Sequence, residues 1–444
     1  MSRDTPNRDD LQKLELWASP EPSFARIDAT TVRDQLAETG HDARPDDAER
    51  IAALGVTGSR VPVLWERVAP AHPHERDYRE PQRRLDALRA HGIDPIITLL
   101  HHGSGPTYTD LLDPAFPLWF AEYAGATAEQ FPWVRRWTPI NEPLTTARFS
   151  TLYGLWFPNL ADDRAFGRAM INQTLAQQAA MRRIRRVIPE AEFVLTEDLQ
   201  RFVAGDDGVA DYVAFLRERM YLSVELVAGR VGEDHPLAPF LLDQCGVNPF
   251  ELDVLQRDAC APDLMAFDHY PHSERYVFSH AGAVADVAAV YVAGQPPPVA
   301  GPLLRAAAER LQLPLALGEI HVHAPAAERV RWLVQHVDDV LALRAEGNDV
   351  RAAGAWAAFG MIDWHALLRT RDGITEDGIY TFAGTSGTPQ PTLVCDALRT
   401  LARGERVADD GVRGWWERAD RFRSLTALIA ARDAQLPEGD HVLI

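Results

Sequence analysis

Short apolar runs alternate with amphipathic stretches along most of the chain. Leu14-Glu15-Leu16-Trp17 opens the series as a strand, ended by the Pro20 and Pro22 pair. Further strands are expected over residues 59–64, 94–100, 133–140, 192–196, 264–267, 313–317 and 352–358. The run from Asp94 to Leu100 is nearly continuous in apolar residues, as in a strand buried on both faces. Between the runs, helical spacing predicts helices over 44–54, 83–91, 117–131, 166–188, 210–228, 303–311, 326–343 and 393–402. Residues 230–262 read as an irregular insertion with further helix, and 272–300 as loop. Alternation of strands and helices implies a parallel sheet. Eight such units imply an α/β fold, a single (β/α)8 TIM barrel with long βα loops and a C-terminal helical extension. The expected boundaries are a disordered tail over 1–10, the barrel over 11–404, and the extension over 405–444 packed on it.

Length and charge narrow the picture. A chain of 444 residues fits one large barrel with insertions. The formal net charge of −19 argues against nucleic-acid or anionic-membrane binding. No apolar stretch of about 18 residues is present, so no membrane span is expected. Met1 to Asp10 is polar and lacks the apolar core of a secretory signal. Cys245, Cys260 and Cys395 lack metal-type spacing and read as structural thiols, which points to a reducing, cytoplasmic compartment. The oligomeric state is not readable.

The chemistry gathers just past the strands. Trp137-Thr138-Pro139-Ile140-Asn141-Glu142-Pro143 ends a strand, because Pro143 cannot donate to a sheet ladder. Glu142 therefore stands at the C-terminal lip of a strand, where parallel barrels build their sites. The residues at the other strand ends are Glu21, Arg60, His101, Glu197, Asp268 with Tyr270, Glu319, and Trp356 through Asp363 and Trp364. Two carboxyl groups flanking a sugar are the machinery of glycoside hydrolysis, one protonated and one ionised. Indoles supply apolar platforms for a pyranose ring.

With these residues in order, the chain resembles a divergent family 1 glycoside hydrolase, the β-glucosidase-like barrels, from about Leu14 to Ala402. Residues 137–143 match that family's Thr-x-Asn-Glu-Pro motif, whose Glu is the acid/base. Gly58 to Arg67 resembles the second-strand motif, whose Arg partners the nucleophile. Thr98-Leu99-Leu100-His101-His102 resembles the third-strand motif, whose first His binds a sugar hydroxyl. Asp268-His269-Tyr270 falls where the family has Asn-Tyr-Tyr, with Asp replacing Asn. Leu317-Gly318-Glu319-Ile320-His321 falls where it has Ile-Thr-Glu-Asn-Gly. Trp356 to Asp363-Trp364 has the register of a last-strand motif in which Asp363 replaces a Glu. The family's first-strand Gln has no clear match, and Glu21 is the candidate for that corner.

The resemblance implies a retaining, exo-acting β-glycosidase with Glu319 as nucleophile and Glu142 as acid/base. Glu21, Arg60, His101, Asn141, Asp268, Tyr270, Trp356, Asp363 and Trp364 are the candidate substrate-binding positions. It implies a small glycoside or oligosaccharide partner, and neither metal nor other cofactor. Arg60 and Tyr270 would hold Glu319 ionised, and Glu319 would raise the pKa of Glu142. A transglycosidase using the same carboxyls, or a non-hydrolytic carbohydrate-binding or regulatory barrel, are the alternatives. The latter rests on the altered positions Gly318, Asp268 and Asp363. His101-His102 and His321-Val322-His323 read as hydrogen-bonding or packed imidazoles rather than metal ligands. Trp119, Trp133 and Trp137 read as packing residues. Trp415-Trp416 is expected to pack the extension onto the barrel, and Glu197 reads equally as an ion-paired rim residue or a sugar contact.

Overall fold

The structure, a computed structural model, describes residue 11 and residues 13–433. The tail expected over 1–10 and the last part of the extension, 434–444, lie outside the described residues.

Eight parallel strands close into a barrel: β1 (Glu15–Ala18), β2 (Gly58–Pro62), β3 (Asp94–His101), β4 (Arg136–Asn141), β5 (Glu192–Asp198), β6 (Leu264–His269), β7 (Leu315–Ile320) and β8 (Val350–Ala355). Neighbours follow the chain from β1 to β8, and β8 pairs back onto β1 with Glu15 opposite Ala352. Helices lie between the strands, among them Arg79–Ala90, Phe116–Gln130, Asp163–Val187, Gly301–Leu311 and Ala326–Ala345. This is the (β/α)8 architecture expected from the apolar pattern.

Two layers of apolar residues follow from strand alternation. Trp17, Ile96, Val194, Leu264, Ala266, Ala316 and Ala352 fill the barrel interior as one small cluster. A far larger cluster, including Leu99, Phe120, Trp137, Phe193, Leu317 and Val340, lies between strands and helices. Trp137 is fully buried there, and Trp133 carries Arg89 over its ring, so both are packing residues.

The long helix Asp163–Val187 starts because the Asp162 carboxylate accepts the Ala165 N–H at 2.9 Å. Its basic end is used structurally as well: Arg185 pairs with Asp263 at 2.8 Å, and Arg182 donates to the Asp258 carbonyl. Residues 210–228 form two helices, Ala210–Arg219 and Leu222–Val227, rather than one.

The segment expected as loop over 272–300 is partly sheet. Glu274–His280 and Ala283–Ala288 form an antiparallel hairpin, and its first strand pairs parallel with Arg201–Ala204. Leu428, from the C-terminal helix Leu425–Asp433, packs on Phe278 and Val287 of that hairpin. Trp416 is buried against Trp332 and donates its indole N–H to Gln335 Oε1 at 2.8 Å. The described part of the extension thus packs on the barrel through its indoles. Cys245, Cys260 and Cys395 are buried free thiols. Among the described residues, no helix is long and apolar enough to cross a membrane.

Candidate active site

The β4 strand ends at Asn141, and Glu142 turns the chain into the short helix Pro143–Ala147. To make that turn Glu142 adopts a left-handed backbone, φ 41°. His102 (φ 56°) and Asp363 (φ 60°) do the same at the ends of β3 and β8. For residues other than glycine, such conformations cost about 1–3 kcal/mol each and collect at functional sites. The Glu142 turn is held from β5. Glu197 accepts the Leu144 N–H at 2.9 Å, the Thr145 N–H at 3.3 Å and the Ser223 hydroxyl at 3.0 Å. That set of donors makes Glu197 an anchor of the turn.

A single guanidinium links the two carboxyl motifs. Arg60 donates through Nη1 to Asn141 Oδ1 at 2.8 Å and through Nη2 to Glu319 Oε1. The Tyr270 hydroxyl donates to the other Glu319 oxygen at 2.5 Å. A cation and a hydroxyl on separate oxygens suit an ionised carboxylate. Burial, with Asp268 and Glu142 nearby, pushes the Tyr270 phenol well above its ordinary range and keeps it a donor.

Asn141 is fixed at both ends. Its Oδ1 also accepts from Thr196 Oγ1 at 2.8 Å, and its Nδ2 donates to His101 Nε2 at 3.2 Å. With Nε2 accepting, the His101 proton sits on Nδ1, a buried atom with no partner among the described residues. His101 stacks on Trp356, ring centroids 5.9 Å apart, and Arg60 lies 4.7 Å from the same indole. The Trp356 N–H donates to Glu21 Oε2 at 3.0 Å, and Glu21 Oε1 accepts the Ser23 N–H at 2.9 Å. Glu21 thus lies beside the Trp356 indole past the end of β8, with its pKa raised by burial.

Glu142 stands on a different wall. It is 6% exposed and Glu319 4%. His102 Nε2 lies 3.6 Å from Glu142 Oε2. Burial holds His102 down to about 3, so it is neutral. In the third-strand motif His102 figures only as the neighbour of His101, and the doubled His at a strand end is its signal in the sequence. Burial, then the Asp268 carboxylate, then Glu197 and Asp198, raise the Glu142 carboxyl well above the ordinary range. The resemblance implies Glu319 as the main like charge. The side chain taking that place is Asp268, because Glu319 is already held by Arg60 and Tyr270.

Trp364 lies over this wall, 5.7 Å from the His102 ring and 6.3 Å from Trp156, with a buried indole N–H that has no partner among the described residues. Asp363 differs from the expected use. Its Oδ2 takes Arg33 Nη2 at 2.9 Å and its Oδ1 takes the Ile374 N–H at 2.9 Å. The shorter side chain keeps the carboxylate back against its own turn, where Arg33, 1% exposed, also binds Glu38. Nothing in the polar segment around Arg33 announced this role. Asp363→Ala should therefore cost stability, about 3 kcal/mol, because it leaves a buried guanidinium short of a partner. Urea unfolding should show a lower midpoint at unchanged slope, whereas an unchanged midpoint would count against the pair.

His321 and His323 both face Glu376, at 3.2 and 3.0 Å, and His321 Nδ1 meets the Trp356 carbonyl at 2.9 Å. These contacts give both imidazoles a structural use.

Residues 12–224 match the model of Glycosyl hydrolase family 1. Beta-glucosidase A of Thermotoga maritima is 28% identical over 159 residues, 33% of this chain and 34% of that protein. A 6-phospho-beta-glucosidase of Dickeya chrysanthemi is 27% identical over 164 residues, with 33% and 34% covered. The chain thus spans about a third of the length of these curated relatives. Among solved structures, the beta-glucosidase from Thermotoga maritima in complex with deoxynojirimycin superposes with a TM-score of 0.72 at 16% identity. That superposition covers 89% of this chain and 99% of that one, a likeness of fold. The N-terminal match, just under half of the chain, and the closed barrel make the chain similar to glycosyl hydrolase family 1.

Proposed function

We propose that this protein is a retaining β-glycosidase acting on a terminal sugar. The carrying observation is the division of labour between two buried carboxyls. Glu319 receives a guanidinium and a phenol, while Glu142 sits beside further acids in a setting that keeps it protonated. In the first step Glu319 attacks the anomeric carbon and forms a C–O bond. The glycosidic C–O bond breaks, and the Glu142 proton goes to the leaving oxygen. In the second step Glu142 takes a proton from water, whose oxygen displaces Glu319. Asn141, held by Arg60, Thr196 and His101, has one amide N–H left for the hydroxyl next to the anomeric carbon. His101 Nδ1 offers a further donor to the sugar. Trp356, held by Glu21, supplies the apolar floor.

A transglycosidase on the same residues is the second reading, favoured by the burial of both carboxyls, which limits access of water. Product analysis separates the two.

The test is a panel of chromogenic β-glycosides. Turnover of at least one is expected, and tight sugar binding without turnover of any would overturn the reading. Because Asp363 is engaged by Arg33 and Ile374, it gives little to the far-side hydroxyls of the terminal sugar. Plain β-glucoside should not be strongly preferred over sugars altered at that end, since a missing hydrogen-bond partner shifts discrimination by orders of magnitude. A panel in which β-glucoside wins by a hundredfold or more, roughly the effect of such a partner, would contradict this.

A further inference from the structure

Asp268 is the polar residue of the site that the proposed chemistry leaves without a task. It ends the inward-facing column Leu264, Ala266, Asp268 of β6, while His269 faces outward and meets His336 at 2.7 Å. Asp268 is 0% exposed, and no N–H or hydroxyl of the described residues donates to either of its oxygens. A lone buried carboxylate with no donor is costly, by several kcal/mol. The side chain beside it is the Glu142 carboxyl, which can supply a proton.

The neighbouring strand is cut away to make this possible. A Cβ on Gly318 of β7 would stand 2.7 Å from Asp268 Oδ1, so no side chain fits there while Asp268 keeps its place. The two departures from the family pattern, Asp at 268 and Gly at 318, are thus one feature seen from two strands. An amide at 268 could offer Glu142 an N–H or a carbonyl oxygen without charge, whereas a carboxylate adds the like charge that favours the protonated form of Glu142.

We infer that Asp268 and Glu142 form a carboxylic acid–carboxylate pair holding one proton, with Asp268 as the positioning residue that keeps the proton on Glu142. The inference rests on the reading of Glu142 as acid/base. Arg60 faces Asp268 from β2, Glu197 and Asp198 face it from β5, and Tyr270 follows it in the chain. Arg60 favours the ionised form of Asp268, while Glu142 has the neutral His102 on its other side. The proton accordingly rests on Glu142. Burial raises both carboxyls, and Arg60 offsets the rise on Asp268. After Glu142 gives its proton to the leaving oxygen, two carboxylates face each other. That makes Glu142 a stronger base toward the water of the second step, which returns the proton to the pair.

The experiment compares wild type, Asp268→Asn and Gly318→Ala. The pH profile of kcat/KM is recorded with an alkyl β-glycoside, whose leaving group needs the acid. The protonated-carboxyl C=O stretch is followed by infrared difference spectroscopy in the free proteins. In Asp268→Asn the like charge is gone and the amide stabilises ionised Glu142. The alkaline limb should then move down by about one pH unit or more, a tenfold loss above the shifted limb. The infrared band should disappear at correspondingly lower pH. Gly318→Ala crowds Asp268 and should shift both in the same direction by less. A limb and a band that stay in place, with kcat/KM lowered evenly at every pH, would overturn the pair. If the band behaves as expected but no β-glycoside is turned over even by wild type, the pair stands and the glycosidase reading is what fails.

Discussion

Replacing Glu319 by alanine is expected to abolish turnover of every substrate, activated or not. A nucleophile acts in the only route to the covalent intermediate, and removing such a group costs a factor of roughly ten thousand to a million. The loss should not depend on the leaving group, since bond formation at the anomeric carbon fails before the leaving oxygen matters. Circular dichroism should stay native, because Arg60 keeps its bond to Asn141. Steady-state rates with nitrophenyl and alkyl glycosides check this. A variant within tenfold of wild type on either would remove Glu319 from the nucleophile's role.

Glu142→Ala should behave differently, and the contrast is the informative part. Proton donation matters least when the leaving group is already a weak base, such as nitrophenolate. The variant should therefore release an initial burst of nitrophenol, at most one equivalent per site. It should then stall, because no base activates water for the second step. With alkyl glycosides it should show no burst. Removing a general acid or base costs about a hundred- to ten-thousandfold, and the cost should fall on the step that needs the proton. Azide needs no general base, so it should attack the intermediate and displace Glu319, giving a β-glycosyl azide. Equal inactivity of both variants toward nitrophenyl substrates, with no azide product, would count against the assigned roles.

The barrel was legible because its strands are buried on both faces and read as apolar runs. Several runs end too early, where their strands continue into the site, whereas β2 and β8 end before the expected runs do. β3 extends to His101, β5 to Asp198 and β6 to His269, and each extension is polar. The hydrophobic pattern loses the strand at the point where function begins. The hairpin of Glu274–His280 and Ala283–Ala288 was missed for another reason. It is rich in small and polar residues, and it is held by pairing with Arg201–Ala204 and by Leu428, contacts far away in sequence.

The site divides in the same way. Glu142, Asn141, Arg60, His101, Tyr270 and Trp356 could be named from motifs because each is placed by its own strand. The partners that fix them come from elsewhere: Thr196 beneath Asn141, Glu197 beneath the Glu142 turn, and Arg33 behind Asp363. Arg33 sits in a polar stretch, and its partners lie at Glu38, Asp363 and the Leu368 carbonyl. Gly318 and Asp268 looked like two independent losses in the motif pattern. In the fold they touch, and the missing side chain on one accommodates the carboxylate of the other.

The measurement that bears most directly on the central claim is the configuration of the first sugar released by the wild type, followed by proton NMR before mutarotation. Double displacement by Glu319 and then water predicts that a β-glycoside yields the β-anomer first. An α-anomer as the first product would contradict the account.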